Sequence, residues 1–325
     1  MKPNGLGRCL VALLAIGMSF LAPVEAQEFP ARALRIIVPY SAGGAVDGPT
    51  RVIAAEMSRR LGQQVVVENR PGAGATIGTD AVAKAAPDGY TLLLTSQTNA
   101  ISATLYAKLP YDPIGDFAPI SLLGREPGVL VTHPSFPAKT VAELIAHVKQ
   151  QPGRIDFASS GNGSGQHLFA ALFAHMAGLR MNHVPYRGSG QATADLLSGQ
   201  IPMAMPGLAG MLGHVRAGKL RALAVTGTAR APQLPEVPTL DEAGVKGYAA
   251  YVWFGLMAPR ATAPGVLARL HREVTAALNA PEVRTYFDNA AIETAGSTPA
   301  ELAQFFRTEK ERWAVVIRDT GARID

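Results

Sequence analysis

Ser164 and His167 are the residues whose types and spacing come closest to nucleophilic chemistry, because a serine needs a nearby base to attack an acyl group. The usual nucleophile turn, G-x-S-x-G, does not occur at either candidate: Ser164 follows Asn162 by two positions, and Ser189 follows Arg187. A histidine three residues after a serine also fits an ordinary helix cap. We therefore predict no catalytic residue, and an exported hydrolase using Ser164 and His167 is the less favoured alternative.

The histidine spacing argues against a metal site. His167, His175 and His183 recur every eight residues. On a helix the first two would lie about 12 Å apart along the axis, which is too far to share one ion. No other set of His, Asp and Glu has ligand spacing, so we expect no metal and no cofactor.

A glycine loop between a strand and a helix offers a different chemistry, the binding of an anion. Residues Ser41–Gly44, here called loop 1, follow the apolar run Ile36–Val38. Pro49 fits only the first turn of a helix, which makes Asp47 the predicted N-cap, and Gly62 ends that helix. Free backbone N–H groups and the positive end of the helix dipole attract anions at such a turn. The alternative is a tight turn that needs glycine only for its own geometry.

A second unit of the same kind occurs further along the chain. Residues Ser159–Gly165, here called loop 2, contain only glycine and small polar residues. They follow a short predicted strand, Arg154–Ala158, and precede a predicted helix, Gln166–Ala177. Two such units in the two halves of an exported protein indicate a cleft that grips its ligand from both sides.

Other polar positions leave two interpretations open. Ser96 and Thr98 follow the end of a predicted strand, where ligands bind in open α/β sheets, but they also fit a helix cap. Tyr186 could cover a ligand or belong to the core with its hydroxyl in water. The glycines at 72, 74 and 78 resemble a dinucleotide fingerprint. The third glycine is one residue late, and no acidic residue follows the next strand, so we favour a helix start packed close to the sheet.

The N-terminal residues Met1–Ala26 have the three parts of a secretory signal peptide. Lys2 and Arg8 give a positive start, Cys9–Ala22 is an apolar core, and Val24–Ala26 fits a cleavage site. We expect cleavage after Ala26 and an exported, soluble mature chain. The only cysteine of the chain is lost with this segment, so the mature protein would have no disulfide.

The charge of the chain excludes one class of partner. The sequence has 30 basic and 25 acidic residues. Without Lys2, Arg8 and Glu25, 28 and 24 remain, a net charge of +4 that is spread along the chain. We therefore expect no nucleic-acid partner. About 300 mature residues fit one large or two ordinary domains.

The alternation of strands and helices predicts parallel sheets covered by helices. The chain is predicted to cross from the first half to the second near Leu123–Val129 and to return to the first half near Tyr248–Gly255. Two crossings of this kind would make a hinge between the halves.

Several long stretches resemble one protein family, the substrate-binding receptors of tripartite tricarboxylate transporters, or Bug family of periplasmic proteins. The resemblance covers essentially all of the mature chain. It implies an α/β fold of the two-lobed periplasmic binding type (type II-like), in which each lobe is a mostly parallel sheet flanked by helices and a two-crossing hinge joins the lobes. The matching stretches are IIVPYSAGGAVD, VVVENRPGAGATIG, AAPDGYTLLL, KLPYDPIGDFAPISLL, SSGNGSGQHL, HVPYRG, AGKLRALAVT and WFGLMAP.

The resemblance also implies a function. The receptor would be a monomer in the periplasm that holds a small carboxylate between its lobes and passes it to the membrane subunits of the transporter. We place lobe 1 at residues 27–125 and 250–325, and lobe 2 at residues 126–249. A sensor module that reports its ligand to a membrane signalling protein would share the fold and the site, and it stays open as an alternative.

By the same resemblance the ligand is held by backbone N–H groups, small polar side chains and bridging waters. The first lobe would contribute loop 1 with its neighbours, and the second lobe would contribute loop 2 and the turn after the next strand. The assigned residues are Tyr40, Ser41, Ala42, Gly43, Gly44 and Asp47 in lobe 1, and Ser159, Ser160, Asn162, Gly163, Ser164, His167, Tyr186, Arg187 and Gly188 in lobe 2.

Two departures from the family pattern bear on the ligand. Thr50, after an unusual Pro49, stands where members commonly have alanine. The strand after Gln200 ends in Met205-Pro206-Gly207, where members commonly have an aromatic and then an acidic or amide residue. We add Met205 and Pro206, with Ser96 and Thr98, to the expected site, and expect a more apolar wall at the far end of the ligand.

Overall fold

The computed structural model describes residues 29–106 and 108–321. The predicted signal peptide, its cleavage after Ala26 and Cys9 lie outside the described residues. Contacts group Arg32–Asp325 into one compact unit. None of the helices in the described ranges is long and apolar enough to cross a membrane.

The first sheet has six strands in the order β11-β4-β10-β3-β1-β2. The neighbouring strands β1 and β3 are apolar and almost wholly buried, as the sequences LRIIV and TLLLTS lead one to expect. The strands are β1 (Leu34–Val38), β2 (Val65–Asn69), β3 (Thr91–Ser96), β4 (Phe117–Pro127), β10 (Tyr251–Pro259) and β11 (Glu293–Thr294). The helices around it are α1 (Asp47–Leu61), α2 (Thr76–Ala83), α3 (Gln97–Leu105), α8 (Pro264–Leu278), α9 (Pro281–Asn289) and α10 (Pro299–Thr320).

The second sheet has five strands in the order β7-β6-β8-β5-β9. Its core includes Val129, Val131, Leu196 and Leu208, and α6 packs against β6. The strands are β5 (Val129–Thr132), β6 (Asp156–Ser159), β7 (Asn182–Pro185), β8 (Met203–Ala204) and β9 (Arg221–Val225). The helices of this half are α4 (Val141–Gln150), α5 (Gly165–Ala177), α6 (Ser189–Ser198) and α7 (Leu212–Arg216).

The direction of the strands corrects one prediction. The expected α/β fold, with two sheets flanked by helices, is found. The expectation that each sheet is mostly parallel is wrong, because both sheets contain parallel and antiparallel strand pairs. In the first sheet β1 is parallel to β2 and β3, whereas β10 is antiparallel to β3 and β4. In the second, β6 is parallel to β7 and β8, whereas β5 is antiparallel to β8 and β9. The strands that carry the chain between the sheets run against their neighbours, which local sequence patterns do not reveal.

The chain passes between the sheets at two adjacent places. Gly128 alone separates the end of β4 from the start of β5. The second passage leads through Ala250 into β10. Thr226, just after β9, links the two passages by hydrogen bonds, because its Oγ1 accepts from the Gly128 N–H (2.6 Å) and donates to the Ala250 carbonyl (2.6 Å). Further contact between the halves comes from α10, where Trp313 stacks on Phe169 of α5 with ring centroids 5.9 Å apart.

Candidate functional site

Loop 1 is shaped by the carboxylate of Asp47. One carboxylate oxygen accepts from the Gly43 N–H and from Arg51 Nε, both at 3.0 Å, and the other accepts from Asn69 Nδ2 at 2.9 Å. The N-cap of α1 is Val46, and no side chain caps it. The prediction of Asp47 as N-cap is therefore wrong: its carboxylate turns back to close loop 1. Pro49 in the first turn and Gly62 after the helix are as predicted.

The surroundings of Asp47 keep it ionised. Burial acts to raise the pKa of this carboxyl, but hydrogen bonds from Arg51, the Gly43 N–H and Asn69, together with the charge of Arg51, lower it on balance. Asp47 is buried and its oxygens are occupied, so it shapes the loop and is not a free ligand group. Backbone N–H groups remain available on the same segment. No acceptor among the described residues takes those of Ser41, Ala42, Ala45 and Gly48.

The side chain of Tyr40, the residue just before loop 1, is hydrogen-bonded to that of Ser96. The Tyr40 hydroxyl lies 2.5 Å from Ser96 Oγ and donates to Asn99 Oδ1 at 3.2 Å, and burial raises its pKa above the ordinary range. Ser96 Oγ also accepts from the Thr98 N–H at 3.2 Å and is the N-cap of α3. Of the two interpretations of this segment, the structure shows the helix cap. Ser96 and Thr98 are buried, and their contact with a ligand stays a prediction.

Loop 2 has two glycines in left-handed conformations, Gly161 (φ 127°) and Gly163 (φ 72°). The Gly161 N–H donates to Ser159 Oγ at 3.1 Å, and the Gly163 N–H donates to His167 Nδ1 at 3.2 Å. Ser164 is the N-cap of α5, with its Oγ accepting from the His167 N–H at 3.3 Å. The described residues contain no acceptor for the N–H groups of Ser160, Asn162, Gly165 and Gln166.

A second histidine, His183, completes the support of loop 2 and was missed from the sequence. Its ring is stacked on that of His167, with centroids 3.8 Å apart and planes 3° from parallel, and the Phe157 ring lies 4.9 Å from that of His183 and 6.3 Å from that of His167. A 2.6 Å hydrogen bond joins His183 Nε2 to Ser159 Oγ. The available signal was strand register, because Phe157 pairs with His183 in the parallel ladder of β6 and β7.

Burial keeps both rings neutral. It lowers the pKa of His167 to about 4. Burial and then the adjacent His167 ring lower the pKa of His183 to about 3. At neutral pH each ring can therefore accept a hydrogen bond at one nitrogen and donate at the other.

The hydrolase alternative lacks the contact it needs. Ser164 Oγ is bonded to the backbone of His167, and the ring nitrogen Nδ1 of that histidine is occupied by the Gly163 N–H. Two serine–histidine side-chain contacts form among the described residues: Ser159 with His183, whose serine is fully buried, and Ser135 with His133, two residues apart on the surface and outside the predicted site. The described residues also contain no group of three His, Cys, Asp or Glu that could hold a metal ion.

The turn after β7 forms a third edge of the site. The Tyr186 hydroxyl donates to Asp195 Oδ2 at 2.8 Å, and burial together with this carboxylate raises its pKa to about 12. Tyr186 packs against the core of the second sheet, so the core interpretation holds, but its hydroxyl is bonded to protein. Arg187 is exposed, and no described residue accepts a hydrogen bond from it. Gly188 begins α6 with no side-chain cap.

The three segments face one another. A Cβ placed on Gly188 would lie 4.0 Å from Ser41 Oγ, so the third turn approaches loop 1. A Cβ on Gly165 would lie 2.8 Å from Gln97 Nε2, so the start of α5 approaches the start of α3. These two approaches bring parts of the two halves together, at Gly188 with Ser41 and at Gly165 with Gln97, whereas ligand contact by the predicted residues stays a prediction.

The far end of the expected site is buried. Met205 is fully buried, and Pro206 is buried with its carbonyl accepting from the Val129 N–H at 2.8 Å. Their contact with a ligand stays a prediction. The space next to Gly207 is taken by Glu126, whose Oε1 would lie 2.6 Å from a Cβ on that glycine and whose Oε2 accepts from the Ala209 N–H at 2.7 Å. Burial raises the pKa of Glu126 to about 8.

Comparison with known proteins identifies the family. The model of the tripartite tricarboxylate transporter family receptor (TctC) matches residues 50–322. Protein BugT of Bordetella pertussis is 41% identical over 305 residues, covering 93% of this chain and 94% of BugT. The chain belongs to this receptor family. The resemblance seen in the sequence is confirmed.

Two solved structures extend the likeness of this family member to the whole fold. A structure of an R. palustris protein with adipate is 33% identical and covers 91% of this chain and 100% of its own, with a TM-score of 0.87. MatC from Rhodopseudomonas palustris with bound malate is 34% identical and covers 89% and 100%, with a TM-score of 0.84. This TctC-family chain therefore has the two-lobed fold of periplasmic binding proteins and is a solute-binding receptor.

Proposed function

We propose that this receptor captures a small carboxylate between its two lobes in the periplasm and delivers it to the membrane subunits of a tripartite tricarboxylate-type transporter. Lobe 1 comprises residues 27–125 and 250–325, and lobe 2 comprises residues 126–249. The signal peptide is removed after Ala26, and the mature chain acts as a monomer. The likeness to a protein with adipate and to MatC with malate supports a dicarboxylate.

The observation that carries this proposal is a set of unpaired backbone N–H groups on three facing segments. They lie at the starts of α1, α5 and α6, where the helix dipole is positive. Asp47, the nearest carboxylate on loop 1, is already occupied by Gly43, Arg51 and Asn69. Such a site favours an anion that accepts several hydrogen bonds, and a carboxylate does so with two oxygens. The groups for which the described part of the chain offers no acceptor are those of Ser41, Ala42, Ala45, Gly48, Asn162, Gly165, Gln166, Gly188 and Ser189.

Arg187 adds a formal charge to this edge of the site. It is exposed and belongs to the turn that approaches Ser41. A guanidinium suits a second carboxylate better than a neutral or cationic group. This favours a ligand with two carboxylates, one on the backbone N–H groups and one within reach of Arg187.

A binding screen of the mature chain tests the proposal. Thermal shift and calorimetry would compare mono-, di- and tricarboxylates, including malate and adipate, with aromatic acids and amino acids. We expect a dicarboxylate to bind and, at a hundredfold excess over its dissociation constant, to add about 2.7 kcal/mol to the free energy of unfolding. Small-angle scattering should show a smaller radius of gyration in the saturated protein. Binding confined to neutral or cationic compounds would refute the proposal.

A further inference from the structure

Two neutral rings lie under loop 2, and each is bonded to a different part of it. His167 is 7% exposed and receives the Gly163 N–H at Nδ1. His183 comes from β7, a separate element, and is bonded through Ser159 Oγ, which in turn accepts the Gly161 N–H. The two glycines with positive φ are therefore each tied to one histidine of the stack.

The hydrogen-bond pattern fixes the tautomer of His167. Since a backbone N–H donates to Nδ1, that nitrogen carries no proton, and the ring proton is on Nε2. A proton on Nδ1 would face the Gly163 N–H and break the contact. The state of the ring therefore decides whether Gly163 is held.

The stack is not an ion pair with a nearby acid. Asp156 on β6 accepts from Asn182 Nδ2 at 2.7 Å, and Asp195 on α6 accepts from the Tyr186 hydroxyl. Neither carboxylate forms a salt bridge with His167 or His183 among the described residues. Among the described residues, the side-chain contacts of the two rings are their stack on each other, the neighbouring Phe157 ring and the two bonds to loop 2.

We propose that His167 and His183 are positioning residues that keep the Asn162 N–H free for the ligand. His167 holds Gly163 by a direct hydrogen bond, whereas His183 orients Ser159, whose Oγ accepts from the Gly161 N–H and donates to the Gly161 carbonyl, both at 3.1 Å. The ligand part of this inference rests on the proposed function, whereas the positioning part does not. If the rings acted only by packing, variants that keep an aromatic ring would behave like wild type and variants that keep only a hydrogen-bonding group would not. The opposite result is expected if the rings act through their hydrogen bonds.

The test uses two pairs of variants: one pair loses the hydrogen bond to loop 2 and keeps the ring, and the other pair loses the ring and keeps a hydrogen-bonding group. His167→Phe and His183→Phe keep an aromatic ring in the stack but remove the nitrogen that bonds to the loop. His167→Asn places Oδ1 near the former Nδ1, and His183→Gln places an amide near the former Nε2, so both keep a hydrogen-bonding group but lose the ring. His175, exposed on the same helix α5, gives the control variants His175→Phe and His175→Asn.

The first measurement is amide hydrogen exchange of Gly161 and Gly163 in the ligand-free mature protein. We expect about tenfold faster exchange of Gly163 in His167→Phe, the effect of one net hydrogen bond. In His183→Phe the exchange of Gly161 should be faster because Ser159 Oγ loses the partner that orients it, and exchange in His167→Asn and His183→Gln should be near that of wild type. Long-range proton–nitrogen spectra of the wild type should show His167 protonated at Nε2 only. The reverse order, no difference between the Phe and amide variants, or a protonated Nδ1 overturns the proposal.

The second measurement is calorimetric titration with malate and adipate. The Phe variants should bind about tenfold more weakly than wild type, and the amide variants should bind like wild type. Equal binding by all variants of a ligand that wild type binds overturns the ligand part. If wild type binds neither probe, the proposed dicarboxylate class fails, and the order of exchange rates still decides the positioning role.

Discussion

Loop 1 and loop 2 have similar sequences and the same place in a strand–loop–helix unit, but different chemistry fixes them. Loop 1 is closed by the ionised Asp47, which is held in turn by Arg51 and Asn69. Loop 2 is closed by two neutral imidazole rings, His167 and His183. In both, the anchor takes one or two backbone N–H groups and leaves the neighbouring ones unpaired.

The difference teaches that the two halves of the site respond to pH in separate ranges. Asp47, whose pKa is lowered by its hydrogen bonds and by Arg51, keeps its charge to a lower pH than an ordinary carboxyl does. A neutral histidine such as His167 can no longer accept the loop's hydrogen bond at its free ring nitrogen once that nitrogen takes up a proton. Loop 2 is therefore the acid-sensitive half, and the predictions below test this contrast.

The largest expected effect is the loss of stability between pH 6.5 and pH 4. In the unfolded chain histidine takes up protons from about pH 6.5, whereas folded His167 does so only at about pH 4. The unfolded state then holds more protons, so the free energy of unfolding falls as the pH is lowered through this range, by about 3 kcal/mol for His167. Urea unfolding at several pH values measures the slope.

Variants assign that slope to the stack. His167→Phe should reduce it and leave the part that comes from His183, whereas His175→Phe, which changes an exposed histidine on the same helix, should leave it unchanged. An equal slope in wild type and His167→Phe would show that loop 2 is not the acid-sensitive half.

Glu126 should give the opposite slope, which must be separated from that of the histidines. Its pKa is raised to about 8, so between its ordinary 4.5 and about 8 the folded state holds the extra proton. The free energy of unfolding then falls as the pH rises through this range. Glu126→Gln, which keeps an acceptor for the Ala209 N–H, should therefore gain about 2 kcal/mol at pH 8 and little at pH 5.

The matched control for this substitution is Glu293→Gln on β11. Glu293 is exposed and pairs with Arg125, the neighbour of Glu126. It should change stability by less than about 1 kcal/mol. A Glu126→Gln protein that is no more stable than wild type at pH 8 would mean that this carboxyl is ionised in the folded state.

Asp47→Ala tests the anchor of loop 1. The variant removes three hydrogen bonds from a buried carboxylate, and we expect a cost of about 1.5 kcal/mol because Arg51 stays half-exposed and solvated. The control is Asp241→Ala, since Asp241 likewise accepts from a glycine N–H (Gly247) and a basic side chain (Lys246), but on the surface. It should cost clearly less. Urea unfolding at pH 7 compares them, and equal costs would contradict the buried-anchor role.

Much of loop 1 could be predicted from the sequence because its signals are local. Pro49 and Gly62 mark the helix, and the glycines mark the turn. The role of Asp47 was misplaced because one of its partners, Asn69, comes from β2, 22 positions away. A residue with several possible donors takes the set that tertiary structure offers, and local sequence rules do not contain that set.

Loop 2 shows a stronger limit of the same kind. His167 and His183 are sixteen residues apart, and this spacing does not predict their contact, because the chain turns after α5 and returns in β7. The two rings meet only because β6 and β7 pair in a particular register. The same reason explains the mixed sheets: strand direction depends on how the chain crosses between the halves, and the strands β4 and β10 look locally like any buried strand.

The smallest expected effect on stability belongs to Gly43, and the chain contains a close control for it. Gly43 and Gly153 both have φ of 76°, and a Cβ on either would meet nothing within 4 Å. Gly153 lies in an exposed turn before β6, outside the predicted site. Gly43→Ala and Gly153→Ala should therefore destabilise by the same amount, about 1 kcal/mol, from backbone strain alone.

Ligand binding should separate these two variants. A methyl group on Gly43 projects into the open space that loop 1 offers to a carboxylate, so Gly43→Ala should weaken binding of the best dicarboxylate in the screen, whereas Gly153→Ala should bind like wild type. Because the strain is matched, a difference in affinity cannot come from loss of folded protein. It must come from the approach of the ligand to the backbone. Equal affinities would remove loop 1 from the site and leave the N-terminal ends of α5 and α6 as the anion-binding groups.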